Sequence, residues 1–258
     1  MTLTRELKRR GVNVIARTAV DRVDTGANLG ATVHYRQGDS DEDRTAYGEV
    51  VLAALGRVPN TDADWFRSSG LKLDERGYVT VDGYGRTNLD GVWALGDITP
   101  GHALAHRAFE QGITIAEKIA GADPKPVLDD TVPQVVFSFP EAASVGLTLD
   151  QAKAREDVVE PKETAYPMLS NARMLMSGEG GSMTVVSGAF ANNPDMQVVL
   201  GVHVVSPIAS DLIAEAEQLV GNRVPLADAA RLIHPHPTFS ETLGEALLKA
   251  DGRPLHTR

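Results

Sequence analysis

Residues His234-Pro235-His236-Pro237-Thr238-Phe239-Ser240-Glu241 leave the backbone fewer choices than any other stretch of the chain. Each proline fixes its own φ and pushes the preceding residue out of the helical region, so both histidines are expected in a stiff, extended loop. Leu243, Leu247 and Leu248 then recur at helical spacing, which predicts a helix that starts between residues 238 and 241 and carries Glu241 in its first turn. A rigid loop can aim an imidazole, and Glu241 lies near enough in sequence to face His236.

Two chemistries fit that spacing. A carboxylate beside a histidine fixes one ring nitrogen as donor and leaves the other as a base, which makes His236 a general acid/base and Glu241 its orienter. Thr238-x-x-Glu241 equally fits a capping box, in which these side chains satisfy orphan amides and the histidines are ordinary loop residues. Zinc held by His234 and His236 is disfavoured, since no cysteine is available and the histidines lack helical pairing; no metal is expected.

Composition narrows the partners. With 25 Lys+Arg against 35 Asp+Glu, a net charge of -10 and no basic cluster, nucleic acid and anionic membranes are poor candidates. No apolar run is long enough to span a bilayer, and Met1-Thr2-Leu3-Thr4-Arg5-Glu6 does not read as a signal peptide, so a cytoplasmic location is expected. A 42% apolar content over 258 residues supports a real core in one or two domains. The lack of cysteine excludes disulfides and any thiol nucleophile from this chain.

Taken in order, residues 4–10 predict a short helix stopped by Gly11, and 12–15 a strand. Residues 20–24, 31–36 and 44–47 alternate like a meander, with 37–43 as a polar turn. The apolar run 49–55 predicts a strand buried on both faces, ending at Gly56-Arg57, where open α/β sheets bind ligands; a plain turn is the favoured reading of this piece taken alone. A strand at 78–81 and a buried one at 92–95 follow, the latter stopped by Gly96 with Asp97 exposed at its tip. A carboxylate there accepts hydrogen bonds from sugar-type hydroxyls. A helix over 103–120 offers amides at Ala103, Leu104, Ala105 and His106 to an electron-rich ligand edge. Residues 121–130 read as a linker. Beyond it are predicted a strand at 135–138, a turn at 140–146, a helix at 148–154 opened by Thr148 and continued through Gln151, strands at 183–190 and 197–205 around the turn 191–195, and helices at 208–220 and 225–233. That arrangement suggests an α+β layer. The methionines at 168, 174, 176 and 183, and both Trp65 and Trp93, are assigned to packing.

Five stretches now stand in one order: Ala54-Leu55-Gly56-Arg57-Val58-Pro59-Asn60-Thr61, residues 87–97, Leu104-Ala105-His106, Pro140-Glu141-Ala142-Ala143-Ser144-Val145-Gly146-Leu147-Thr148, and His236-Pro237-Thr238-Phe239-Ser240-Glu241. Together they resemble the carboxyl-terminal part of the flavoprotein pyridine-nucleotide-disulfide oxidoreductases, most of all the dihydrolipoamide dehydrogenases, whose bulky apolar residue Phe239 matches. The resemblance implies a partial NAD-binding domain (1–56), a partial FAD-binding domain (57–126) and a dimerisation domain (127–258), that is, an α/β remnant followed by an α+β domain. It implies that Gly56 and Arg57 lie at an NAD site, Asp97 at the flavin ribityl chain, and Ala103, Leu104, Ala105 and His106 beside the isoalloxazine. His236 and Glu241 would be the proton-transfer pair delivered across a homodimer to the partner's disulfide, with lipoyl groups of a 2-oxo acid dehydrogenase complex as a further partner.

The family's Gly-rich turns and redox cysteine pair have no counterpart in these 258 residues. The chain therefore reads as a fragment, inactive alone. The alternatives that the resemblance leaves are a fragment of a related NAD(P)H-dependent disulfide or quinone reductase, or a non-enzymatic dimerisation module.

Overall fold

A computed structural model describes residues 2–26 and 30–256. The chain divides into two compact units, residues 7–58 and a larger one formed by residues 1–6 with 59–258. Helix α1, Thr2–Arg9, ends where Gly11 turns with φ +83°. Its first residues belong to the larger unit, where Ser182 Oγ donates to Thr2 Oγ1 at 3.0 Å.

The smaller unit is an antiparallel meander of β1 (Thr18–Thr25), β2 (Ala31–Gln37) and β3 (Arg44–Gly48). Its alternating pattern was legible, but the two apolar runs beside it do not pair. Residues 12–15 and 49–55, expected as strands, are irregular, and Val50, Leu52 and Leu55 are largely exposed. A run of apolar residues becomes a two-face-buried strand only when neighbours cover both faces, and among the described residues none does.

In the larger unit, residues 59–104 are mostly turns around a small core of Phe66, Val79 and Ala94. Helix α2, Asp64–Ser68, buries Phe66 and turns its neighbour Trp65 outward, correcting the packing role expected of that tryptophan. Strands were expected at 78–81 and 92–95. Only isolated bridges form, Leu73 with Val79 and Arg86 with Trp93, because the Asp74 and Asp82 carboxylates accept from nearby backbone N–H groups and hold this segment in successive tight turns. Helix α3, Ala105–Ile119, follows.

The rest is one antiparallel sheet in the order β4-β5-β8-β7-β6, made from β4 (Gln134–Val136), β5 (Glu141–Gly146), β6 (Val158–Pro167), β7 (Ser182–Phe190) and β8 (Asn193–Ser206). Helix α4, Leu149–Ala154, is opened by a complete capping box between Thr148 and Gln151, as the sequence indicates. Helix α5, Ala172–Ser177, is capped by Asn171. Helices α6 (Ala209–Gly221), α7 (Leu226–Ala229) and α8 (Glu241–Ala250) complete the unit. The main core lies between the sheet and these last helices, gathering Val145, Tyr166, Met183, Val185 and Val202 with Leu212, Ala216, Leu243 and Leu247. Val186, Val198 and Leu200 point to the other face, under Leu147, Ala152 and Val158. This alternation is the period of two that strands impose. Met168, Met174 and Met183 are buried in the core, whereas Met176 is 70% exposed.

Residues 141–146 of the expected turn form strand β5 instead. Its small residues Ala142, Ala143 and Ser144 carry a weak β signal, and pairing with β8, from Glu141↔Ser206 to Gly146↔Gly201, overrides it. The β7–β8 hairpin is tighter than expected, since Phe190 pairs with Asn193 and leaves only Ala191 and Asn192 between the strands.

Candidate active site

The loop of residues 232–240 is irregular, with bends at residues 236, 237 and 239 instead of an extended run, and the His236-Pro237 peptide is cis. His236 Nδ1 lies 2.8 Å from Glu241 Oε1. A carboxylate only accepts, so Nδ1 carries the proton and donates, leaving Nε2 with its lone pair. The histidine side chain is 72% exposed and that of Glu241 22%. Glu241 also caps the loop, because Thr238 N–H donates to its Oε2 at 2.7 Å. One carboxylate thus makes both contacts, one oxygen on the imidazole and the other on the backbone. The threonine half of the capping box is not made. Thr238 Oγ1 donates to Pro235 O and Ser240 becomes the residue preceding α8. Burial pushes the Glu241 carboxyl up, but the Thr238 amide and the His236 ring outweigh it and hold the group below its ordinary value.

Three further contacts fasten the loop. Asn171 Nδ2 donates to Thr238 O at 3.0 Å, the Arg173 guanidinium stacks 5.5 Å from the Phe239 ring centroid, and His234 Nε2 sits 2.8 Å from Glu215 Oε1 on α6. Glu215 raises the His234 pKa above its usual value of 6.5, against the opposing effect of burial. A raised histidine pKa means that the charged pair stabilises the fold fully below the unfolded value and loses that contribution as pH rises through the folded one. Wild type should be more stable than His234→Gln by about 1 kcal/mol near pH 6, Glu215 being partly exposed and screened. Thermal melts at a series of pH values check this; the difference should shrink as pH rises above 6.5 through the raised folded-state value, and a constant difference would contradict the charged pair.

The flavin-side residues are spread over a turn and a helix start. Gly96 has φ +72°, a conformation that L side chains rarely adopt, and its N–H donates to Gln111 Oε1 at 2.9 Å. The close approach expected at this glycine is thus made to α3, where a Cβ would meet Ala108 Cβ at 3.4 Å. Asp97 is exposed in the same single turn, Gly96–Ile98, rather than at a strand tip. No side chain caps the amino end of α3, whose first residues Ala105 and His106 are exposed; Ala103 and Leu104 lead into it. A carboxylate acceptor and uncapped helix amides suit the hydroxyl chain and electron-rich ring edge of a flavin nucleotide, so the residues present fit that group. The side chain of His106 is turned elsewhere, its Nε2 donating to Pro133 O at 2.7 Å. Gly56 and Arg57 lie in the smaller unit on exposed irregular chain. Gly56 has φ +109° and open space where a Cβ would sit.

Glu215, Asn171 and Arg107 escaped the sequence reading. The first two act on the histidine loop from 19 and 67 residues away, and nothing local marks them. Arg107 is buried and ties the start of α3 to Asp129 Oδ1 at 2.7 Å and to Pro100 O at 2.6 Å. Its only signal was a charge at a helix position that turned out to face inward. Among the described residues no helix is long and apolar enough to cross a membrane, and no group of three His, Asp or Glu is placed to hold a metal ion.

Set beside known proteins, residues 1–112 match the pyridine nucleotide-disulphide oxidoreductase family and residues 132–247 its dimerisation domain. The chain belongs to the pyridine nucleotide-disulphide oxidoreductases, and the expected order of a nucleotide-binding region followed by a dimerisation domain is borne out. Within that family it is similar to the dihydrolipoyl dehydrogenase of Cupriavidus necator, 38% identical over 98% of this chain and 51% of that protein. The dihydrolipoyl dehydrogenase of Geobacillus stearothermophilus is 37% identical over 98% of this chain and 52% of its own length. Among solved structures, LpdA from Mycobacterium tuberculosis superposes with a TM-score of 0.81 at 30% identity, covering 96% of this chain and 52% of that one. The chain spans about half the length of the curated relatives it matches.

Proposed function

We propose that this chain is the carboxyl-terminal share of an FAD-dependent oxidoreductase that passes electrons from a dithiol of the dihydrolipoamide type to NAD, with His236 and Glu241 as its proton-transfer pair. Residues 1–56 and 57–126 contribute parts of the NAD and FAD domains, and residues 127–258 pair with a second copy. Lipoyl groups of a 2-oxo acid dehydrogenase complex are the natural dithiol. The observation that carries this reading is the exposed imidazole, 2.8 Å from Glu241 through Nδ1, in a chain without cysteine. Such a base has no thiol within these 258 residues to serve, so the thiol it deprotonates comes from the substrate.

Oxidising a dithiol to a disulfide releases two protons and two electrons, and a thiol attacks a disulfide only as thiolate. His236 Nε2 takes the proton from the attacking thiol, while the Nδ1–H bond to Glu241 holds the ring and stabilises the imidazolium that results. The thiolate then opens a disulfide supplied by the partner, whose released sulfur takes the proton back from His236; the second substrate thiol, deprotonated by His236 in turn, closes the product disulfide and leaves the partner's pair reduced. Bound flavin supplies the electron sink. Asp97 and the amino end of α3 would hold that cofactor's hydroxyl chain and ring edge.

Supplying the flavin- and thiol-bearing half from a relative and assaying NAD-linked dihydrolipoamide oxidation tests this directly. Turnover by an FAD-loaded dimer is expected, and none by the chain alone. An FAD-loaded assembly that ignores dihydrolipoamide and reduces quinones instead would overturn the substrate assignment.

A further inference from the structure

A second histidine-carboxylate pair lies one proline away from the first, and its setting differs. His234 keeps only 9% of its side chain exposed, against 72% for His236. Its ring rests on α8 at Gly244, where a Cβ would meet His234 Nδ1 at 2.6 Å and Cε1 at 2.9 Å. Glycine inside a helix is a cost, and here it makes room for an imidazole. The charged groups facing the ring are Glu215 from α6 and Glu241 from α8, with the Leu232 backbone on its own loop. His234 therefore joins α6, α8 and the loop at one point. Pro235 then limits rotation between His234 and His236, so where one ring is held restricts where the other can point.

We infer that His234, clamped by Glu215 and seated on Gly244, is a positioning residue that aims His236 at Glu241 and thereby keeps the Nε2 of His236 available for proton transfer. This rests on the proton-transfer reading of His236 above. A role in packing alone would be met by any side chain of like volume, whereas positioning needs the N–H···O bond to Glu215.

Long-range proton–nitrogen NMR of the histidine rings in the 258-residue chain reads which nitrogen of His236 carries the proton. Wild type should show one His236 tautomer, protonated at Nδ1. Glu215→Ala should release a mixture with the Nε2-protonated form, and Gly244→Ala, which crowds the ring while keeping both members of the pair, should do the same. His234→Gln keeps an N–H for Glu215 and should retain the wild-type signature. With the other half supplied, Glu215→Ala should lower kcat at least about five-fold and leave KM within about two-fold, as expected of a displaced but intact group. Folded Glu215→Ala or Gly244→Ala with an unchanged His236 signature overturns the inference, as does loss of the signature in folded His234→Gln. If the signature shifts as expected while kcat does not, the positioning stands and the proton-transfer reading of His236 falls.

Discussion

Replacing His236 with glutamine should cut dihydrolipoamide turnover of the completed oxidoreductase by about 10²–10⁴-fold, the range that a positioned acid/base contributes. The same change should leave the melting temperature of the chain nearly untouched, because the ring is 72% exposed and surface substitutions rarely move stability by more than about 0.5 kcal/mol. Glu241→Gln should behave differently. Its carboxylate serves both the imidazole and the Thr238 amide, so rate and stability should fall together. A His236→Gln enzyme with normal turnover across pH would remove the ring from the chemistry. One that loses flavin as well as rate would assign the loop a structural task instead.

Gly146→Ala carries the largest expected effect on folding. The residue has φ +80°, and a Cβ there would run into Leu200 O and lie 2.6 Å from Gly201 Cα. Its cross-strand partner is Gly201, whose own Cβ would run into Leu147 O and lie 2.8 Å from Leu147 N. Both obstacles are backbone at the centre of the sheet, so neither can swing aside. Left-handed strain and overpacking together should cost about 3 kcal/mol or more. For a unit of this size that lowers Tm by roughly 6–12 °C. A melt within a degree of wild type would mean that β5 and β8 do not approach as described.

What could be read from the sequence was local. The meander, the Thr148–Gln151 cap and the helix of residues 105–119 each declare themselves within a few residues. So did the His236–Glu241 contact, whose partners are five positions apart. The errors share a physical cause, which is that tertiary neighbours decided the outcome. Residues 49–55 have the composition of a covered strand but no cover among the described residues. Strand β6 hid because Glu160, Pro161, Lys162 and Glu163 stand where the register shifts between Val159 and Lys162, so no apolar alternation runs through it. Glu215 and Asn171 reach the histidine loop only after the sheet and α6 have formed.

The uncovered ribbon has a consequence of its own. Val50, Leu52, Leu55 and Val58 are each at least 87% exposed, in a segment without a pairing strand. Such a ribbon is a template on which another extended chain can be laid, and identical chains are the most abundant candidates in any concentrated preparation. Self-association of this unwanted kind would compete with any pairing through residues 132–247, which match the dimerisation domain. Shielding those four side chains therefore governs whether the polypeptide stays usable in the test tube.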